Sequence, residues 1–229
     1  MNTGAFDPLE GVADSARERG AWLHVDGAFG LWASASSALA PLVRGIERAD
    51  SIATDGHKWL NVPYDCGIVF CADGAAHRAA MSLEAAYIIG SGSERDPHEL
   101  VPEESRRARA VPVYAALRSL GRKGLADLVE RCCRHARRFA EGLRSAGFEV
   151  LNDVVLNQVL VSFGDAGLTR RIISALQQDG TCWCAGTQWQ GHTAMRISVS
   201  NWRTTAEDVE RSLEAMVRVA GQCASGQPR

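Results

Sequence analysis

The stretch Asp50-Ser51-Ile52-Ala53-Thr54-Asp55-Gly56-His57-Lys58-Trp59 decides the fold, taken with His24-Val25-Asp26-Gly27-Ala28 upstream. Ser51 to Ala53 reads as a short strand that runs out into Asp-Gly-His-Lys. Ala21 to Val25 reads the same way and ends at Asp26. Leu39 to Ile46, between them, has helical spacing. Further upstream, Asp7-Pro8-Leu9-Glu10 predicts a helix start, with Asp7 as N-cap, Pro8 at the first helical position and Glu10 three residues after the cap. Leu9, Val12, Ala13 and Ala16 continue that helix, and Gly20 ends it. Gly67 to Cys71 is a third strand after a loop bearing Pro63. Strands alternating with helices predict an α/β portion built on a mostly parallel sheet.

Downstream the pattern changes. Residues 84 to 103 show no sustained period and predict a long exposed loop. Ser105 to Ser145 is helical, with a break near Gly121 to Gly124. Strands near Phe148–Leu151 and Val155–Phe163, a helix near Leu168–Gln178 and strands near Thr181–Thr187 and Thr193–Val199 follow. The final helix opens on a capping box, Thr205 with Asp208. The pattern predicts two domains: residues 1–110, the α/β portion, and residues 111–229, a linking helix with a smaller α+β domain.

Composition narrows the function classes. The chain has 229 residues, 46% of them hydrophobic, and a net charge of -2. A near-neutral balance argues against a nucleic-acid partner, because such a face needs net positive charge. Arg106, Arg107 and Arg109, and then Arg131, Arg134, Arg137 and Arg138, are clustered; interleaved with acids, they read as solvated faces. The seven cysteines (66, 71, 132, 133, 182, 184 and 223) lack zinc-ligand spacing, so no metal is expected and they read as buried thiols of a reducing compartment. No apolar run reaches the length of a membrane span, and no basic-then-apolar leader follows Met1. A cytoplasmic protein is expected.

The strand ends carry the chemistry. Ligands gather at the carboxyl ends of parallel strands, and Asp26 and Lys58 both fall at such ends, one strand–helix–strand unit apart. A lysine amine that forms a Schiff base and an aspartate that pairs with a protonated pyridine nitrogen are what pyridoxal phosphate requires. His57 and Thr54 offer donors to its phosphate, and Ala28 is small enough for the ring to pack closely. Two plainer readings stand beside this one: Asp26 as a turn residue and Lys58 as a solvated charge. Neither explains a His-Lys pair between two apolar strands.

These segments, with Asp65-Cys66-Gly67, Ser105-Arg106-Arg107-Ala108-Arg109-Ala110 and Met195-Arg196-Ile197-Ser198, resemble the group II pyridoxal-phosphate-dependent decarboxylases. That family includes the aromatic-L-amino-acid, histidine and glutamate enzymes. The resemblance spans almost the whole chain and implies fold type I (aspartate-aminotransferase-like), with residues 1–110 as the last part of the large domain. It implies a homodimer with its sites at the subunit interface, and carboxy-lyase activity on an L-amino acid. By position, Lys58 is the Schiff-base lysine, Asp26 the pyridine partner, Ala28 the residue against the ring and His57 a phosphate contact. Asp55 stands where some relatives carry asparagine. Arg196 is the candidate for the substrate carboxylate, with a structural ion pair as the competing reading.

Two departures stand out. Family members are about twice as long, and Asn2 to Pro8 resembles the middle of their large domain. Animal relatives carry a proton-donating tyrosine in the loop that matches Tyr87 to Pro102, and there is none here between Ile88 and Pro102. His98 is the substitute candidate, with a solvated loop histidine as its alternative. A transaminase or an oxidative deaminase remains open, as does a truncated fragment or half-subunit without catalysis of its own. The isolated chain is expected to associate through uncovered apolar edges.

Overall fold

The computed structural model describes residues 2–82 and 96–226. They form two compact units that interleave along the chain. One contains Pro8–Ala28 and Arg44–Ser119; the other contains Met1–Asp7, Phe29–Val43 and Leu120–Arg229. The 110/111 division expected along the chain follows sequence order, whereas these units do not. The upstream segment joins the second unit by hydrogen bonds: Asn2 Nδ2 donates to the Gln188 carbonyl (3.1 Å) and Ser36 Oγ donates to Glu130 Oε1 (2.6 Å).

In the first unit, helix α1 (Leu9–Glu18) begins one residue later than expected. Pro8 occupies the N-cap position with ψ 76, outside the helical range, and no side chain caps the helix. Asp7 therefore does not serve as the cap; the Pro8 carbonyl takes the Val12 N–H at 3.1 Å. Strand β1 (His24–Asp26) pairs parallel with β2 (Ser51–Asp55), with His24 opposite Ser51 and Asp26 opposite Ala53. Helix α2 (Gly56–Trp59) follows, and β3 (Gly67–Cys71) then pairs antiparallel with β2. The sheet is thus partly parallel. The connection over 56–66 is too short for the crossover that a parallel β2–β3 pair would need.

The helix expected over Leu39 to Ile46 is absent. Two 3-10 turns, Ala40–Val43 and Ile46–Arg48, stand in its place, separated by Gly45 at φ 92. The left-handed glycine breaks the helical hydrogen-bond run. A Cβ at Gly45 would lie 2.8 Å from the Glu10 backbone nitrogen. Gly45→Ala is therefore expected to destabilise by about 2 kcal/mol or more. A thermal melt within a degree of wild type would contradict that. Helix α3 (Gly74–Met81) is capped by Asp73, which accepts from the Ala75 and Ala76 amides at 2.9 Å. Part of the expected 84–103 loop lies outside the described residues; its last part includes a 3-10 turn, Pro97–Leu100.

Helix α4 (Ala110–Ser145) is interrupted at Gly121 (φ 62, ψ -179), where a break was expected. It starts later than Ser105 because residues 105–109 make loop contacts instead. The second unit contains β4 (Glu149–Val150), β5 (Gln158–Ser162), α5 (Ala166–Asp179), β6 (Ala185–Trp189), β7 (His192–Ser198) and α6 (Ala206–Ser225). The four strands form an antiparallel sheet in the order β4-β5-β7-β6. Every residue of β5 is buried. Leu128, Phe139 and Leu143 of α4, with Ile172, Leu176, Val209 and Met216, are buried with it. The Thr205–Asp208 capping box forms as expected. Trp22, Trp183 and Trp202 are more than half exposed, whereas Trp59 is fully buried. No helix among the described residues is long and apolar enough to cross a membrane.

His135 of α4 is buried in this unit, and its Nε2 has no hydrogen-bond partner. Burial lowers its pKa below the usual imidazole range, opposed by a hydrogen bond to the Thr204 backbone. The folded state therefore favours the neutral ring. The stability this contributes is complete above the unfolded pKa of about 6.5 and is lost as pH falls toward the lowered folded value. Melting temperature should fall with acidification below about pH 6.5, and His135→Leu should flatten that slope. An unchanged slope would show that His135 does not titrate between the two states.

Candidate active site

Helix α2 is short and held from both sides. The Gly56 N–H donates to the Cys66 carbonyl at 2.9 Å. Gly56 has no side chain, and a Cβ there would sit 3.1 Å from Cys66 Sγ and 3.3 Å from a Val62 methyl carbon. Trp59, with 0% exposure, anchors the other end. Between these fixed points lie His57 and Lys58. Lys58 Nζ is 2.7 Å from Asp55 Oδ2, and both side chains are about a quarter exposed. Asp55, the last residue of β2, places an acid beside the amine.

His57 is oriented by the loop that returns to β3. His57 Nδ1 lies 3.1 Å from both the Cys66 N–H and the Cys66 carbonyl, and that carbonyl also accepts from the Gly56 N–H. Nε2 lies 4.0 Å from Asp55 Oδ2, beyond hydrogen-bond range. The Tyr64 ring leans on the imidazole, with centroids 4.3 Å apart and planes tilted by 59°. Cys66 itself is buried, which raises its thiol pKa.

Asp26 ends β1 on the same carboxyl edge. Its Oδ1 accepts the Ala28 N–H at 3.1 Å, closing a tight turn. Among the described residues no hydrogen bond engages Oδ2. The turn is fixed to β2 by the Gly27 N–H, which donates to the Ala53 carbonyl at 2.7 Å. Thr54 corrects an expectation. Its hydroxyl is buried and donates its one proton to the Gly27 carbonyl at 2.9 Å, so it steadies the Asp26–Ala28 turn rather than offering that proton to a phosphate. Ala28 is half-buried beside Asp26.

The other two candidates lie elsewhere. His98 sits in the 3-10 turn Pro97–Leu100, with Nδ1 2.6 Å from Asp96 Oδ1. Arg196 is half-buried on β7 in the second unit, opposite Leu160 and Ala185. Asp26, Ala28, Thr54, His57 and Lys58 share the first unit, at one end of β1 and β2. A groove of about 1350 Å³ in that unit borders the site through Thr54, Asp55 and Cys66 and is lined also by His24, Ser51 and Tyr114, though not by Asp26 or Lys58.

Sequence reading overlooked one set of contacts. Arg107 and Arg109, expected on a solvated face, bind the loop that leads to Cys66. Arg107 donates to the carbonyls of Pro63 (3.4 Å), Tyr64 (3.0 Å) and Asp65 (2.7 Å). Arg109 Nε donates to the Asp65 carbonyl (3.2 Å) and to Asp65 Oδ1 (3.1 Å). That hydrogen bond lowers the pKa of Asp65 and raises that of Arg109. The Arg-Arg-Ala-Arg run was visible in the sequence, but nothing there paired it with a loop more than forty residues away.

The donor set fits pyridoxal phosphate. Lys58 provides the amine, Asp26 Oδ2 an anion for the ring nitrogen, and His57 an imidazole whose Nε2 is left for a phosphate oxygen. The profile described as Pyridoxal-dependent decarboxylase conserved domain matches residues 1–164. The chain is 32% identical over 221 residues to histidine decarboxylase of Drosophila melanogaster, covering 94% of this chain and 26% of that one. It is 31% identical to L-2,4-diaminobutyrate decarboxylase of Rhizobium meliloti, covering 95% of this chain and 46% of that protein. The crystal structure of Oryza sativa TDC with PLP and tryptamine superposes with a TM-score of 0.89 at 23% identity, over 96% of this chain and 49% of that one, and so shares its fold. The chain spans half or less of the length of these relatives. A profile match over more than half of the chain, on a fold shared with a solved relative, places it in the pyridoxal-dependent decarboxylase family.

Proposed function

We propose that this chain contributes the lysine-bearing part of a pyridoxal-phosphate-dependent carboxy-lyase acting on an L-amino acid. The observation that carries the reading is the juxtaposition at the α2 start: an amine on Lys58, an acid on Asp55 and an imidazole on His57 held at Nδ1 by the Cys66 backbone. When bound, the cofactor supplies an electron sink for the carbanion left as carbon dioxide departs. Lys58 would hold it covalently, Asp26 would keep its ring nitrogen protonated, and His57 would donate from Nε2 to its phosphate. Ala28 would leave room for the ring. Arg196 is proposed for the substrate carboxylate and His98 for proton return; residues 1–110 then belong to the large domain. A cytoplasmic homodimer completes the proposal.

Covalent attachment tests it directly. The purified chain is mixed with pyridoxal phosphate, reduced with borohydride, digested and mapped by mass spectrometry. Modification is expected at Lys58, together with a visible absorption band that survives desalting. Lys58→Ala should lose both, and any carbon dioxide release should fall by about 10³-fold or more, about 4 kcal/mol of barrier. Attachment elsewhere, or undiminished release in the variant, would overturn the assignment.

A further inference from the structure

We propose that Cys182 and Cys184 form a peroxide-reactive dithiol, with Cys182 as the attacking thiol and Cys184 as the thiol that closes the disulfide. The pair lies in the second unit and does not rest on the cofactor reading.

Among the seven cysteines, 182 and 184 are the one pair separated by a single residue. Cys184 is 5% exposed, whereas Cys182 is half-buried and open to solvent. Residues 182–184 lie between α5 and β6, outside the ladder that begins at Ala185. Two residues of extended chain span about 7 Å. A disulfide joins Cα atoms about 4.4–6.8 Å apart, so a small bend at Trp183 suffices. Trp183 is 76% exposed, and its ring does not anchor that bend in the core. Gln177 Nε2 donates to the Cys184 carbonyl at 2.8 Å, which leaves Cys182 as the end that moves.

A peroxide reacts with a thiolate rather than a thiol. Burial penalises charge, so of two thiols in contact the more exposed one ionises. The Cys184 thiol donates to the Cys182 sulfur. This lowers the Cys182 pKa below the ordinary thiol value, against the effect of burial, and raises that of Cys184. Ser212 of α6 also faces Cys182, but its hydroxyl proton goes to the Asp208 carbonyl at 2.7 Å. Asp179, the acid on this side, is held by Thr181 Oγ1 at 2.5 Å and by Arg218 at 2.9 Å. The adjacent thiols of Cys132 and Cys133 are buried and pushed up to about 11 and about 12. Burial raises Cys66 as well.

In the first step the Cys182 thiolate attacks a peroxide oxygen. The O–O bond breaks, hydroxide leaves and Cys182 becomes a sulfenic acid. The Cys184 sulfur then attacks the Cys182 sulfur, and the S–O bond breaks as the hydroxyl leaves with the Cys184 proton as water. One hydrogen peroxide is reduced to two waters while two thiols are oxidised to one disulfide. A bridge over so short a spacing is strained and easily reduced.

The test needs no cofactor. The reduced 229-residue chain is exposed to hydrogen peroxide at neutral pH, blocked with N-ethylmaleimide in denaturant, digested with trypsin and mapped by mass spectrometry. Cleavage after Arg171 and Arg196 puts Cys182 and Cys184, and no other cysteine, on one peptide. That peptide is expected to lose two hydrogens and both maleimide groups at least about tenfold faster than Cys71 or Cys223 loses its own. Dithiothreitol should restore both maleimide sites. Cys184→Ser should stop at a sulfenic acid on Cys182, trapped by dimedone. Cys182→Ser should leave Cys184 fully blocked by maleimide after the same exposure. Cys182 is half-buried, so that variant carries the test if Cys184→Ser fails to fold. The proposal is overturned if the wild-type peptide keeps both maleimide groups or oxidises no faster than Cys71 and Cys223. Oxidation of Cys184 at the wild-type rate in Cys182→Ser, or a sulfenic acid that maps to Cys184, would overturn it equally.

Discussion

Trp59→Ala is expected to destabilise the protein by about 3–5 kcal/mol, the range for removing a large fully buried aromatic side chain. Trp59 has no solvent exposure, and its carbonyl accepts from Asn61 Nδ2 at 2.8 Å. It is the last residue of a four-residue helix, too short to be stable by its own hydrogen bonds. The helix exists because Gly56 and Trp59 are both held in the core, so the cavity left by Trp59 would loosen the segment that carries Lys58. Covalent attachment at Lys58 should weaken together with the melting temperature. Trp59→Phe, which keeps most of the apolar volume, should retain attachment and lose markedly less stability. Equal losses in Phe and Ala variants would show that volume at this position does not matter.

The second large effect is expected in the other unit. Asn152 is buried beside β5, where its Oδ1 accepts the Leu160 N–H at 2.8 Å. Its Nδ2 is shared among the carbonyls of Thr3 (3.1 Å), Asp153 (3.0 Å) and Gln158 (3.1 Å). One side chain thus completes the pairing of a fully buried strand at Leu160 and Gln158 and ties the Thr3 segment to it. Asn152→Ala would strand the Leu160 donor and the Gln158 acceptor away from water. At about 1–3 kcal/mol for each unsatisfied buried group, a loss of about 2–5 kcal/mol is expected. Chemical denaturation should show a lower midpoint with an unchanged slope. A midpoint within error of wild type would mean that water reaches these groups. Asn152→Asp preserves the acceptor for Leu160 but turns a second oxygen on the carbonyls, and it should be no better than alanine.

Several elements were legible because their signals are local. The Gly121 break, the Thr205–Asp208 box and the alternation around Asp26 and Lys58 all rest on neighbours a few residues apart. The failures have a common cause. Asp7 looks like a cap, but Pro8 adopts a non-helical ψ and moves the helix start. Leu39 to Ile46 has helical spacing, but Gly45 turns left-handed against the Glu10 backbone, a neighbour that spacing does not reveal. Thr54 has the right chemistry for a phosphate, but the Gly27 carbonyl takes its proton.

The sequence by itself determined the family and which residues are candidates for its site: a lysine after a histidine at one strand end and an aspartate at another. Those are matters of residue type and short spacing, which a linear chain displays. Tertiary structure alone decided which groups meet. It set the Asp55 carboxylate at the Lys58 amine, the Cys66 backbone against His57 Nδ1 and the two arginines on the loop between them. Such pairings join residues up to forty-four positions apart, and a hydrogen bond depends on separations of a few tenths of an ångström that only the folded chain sets.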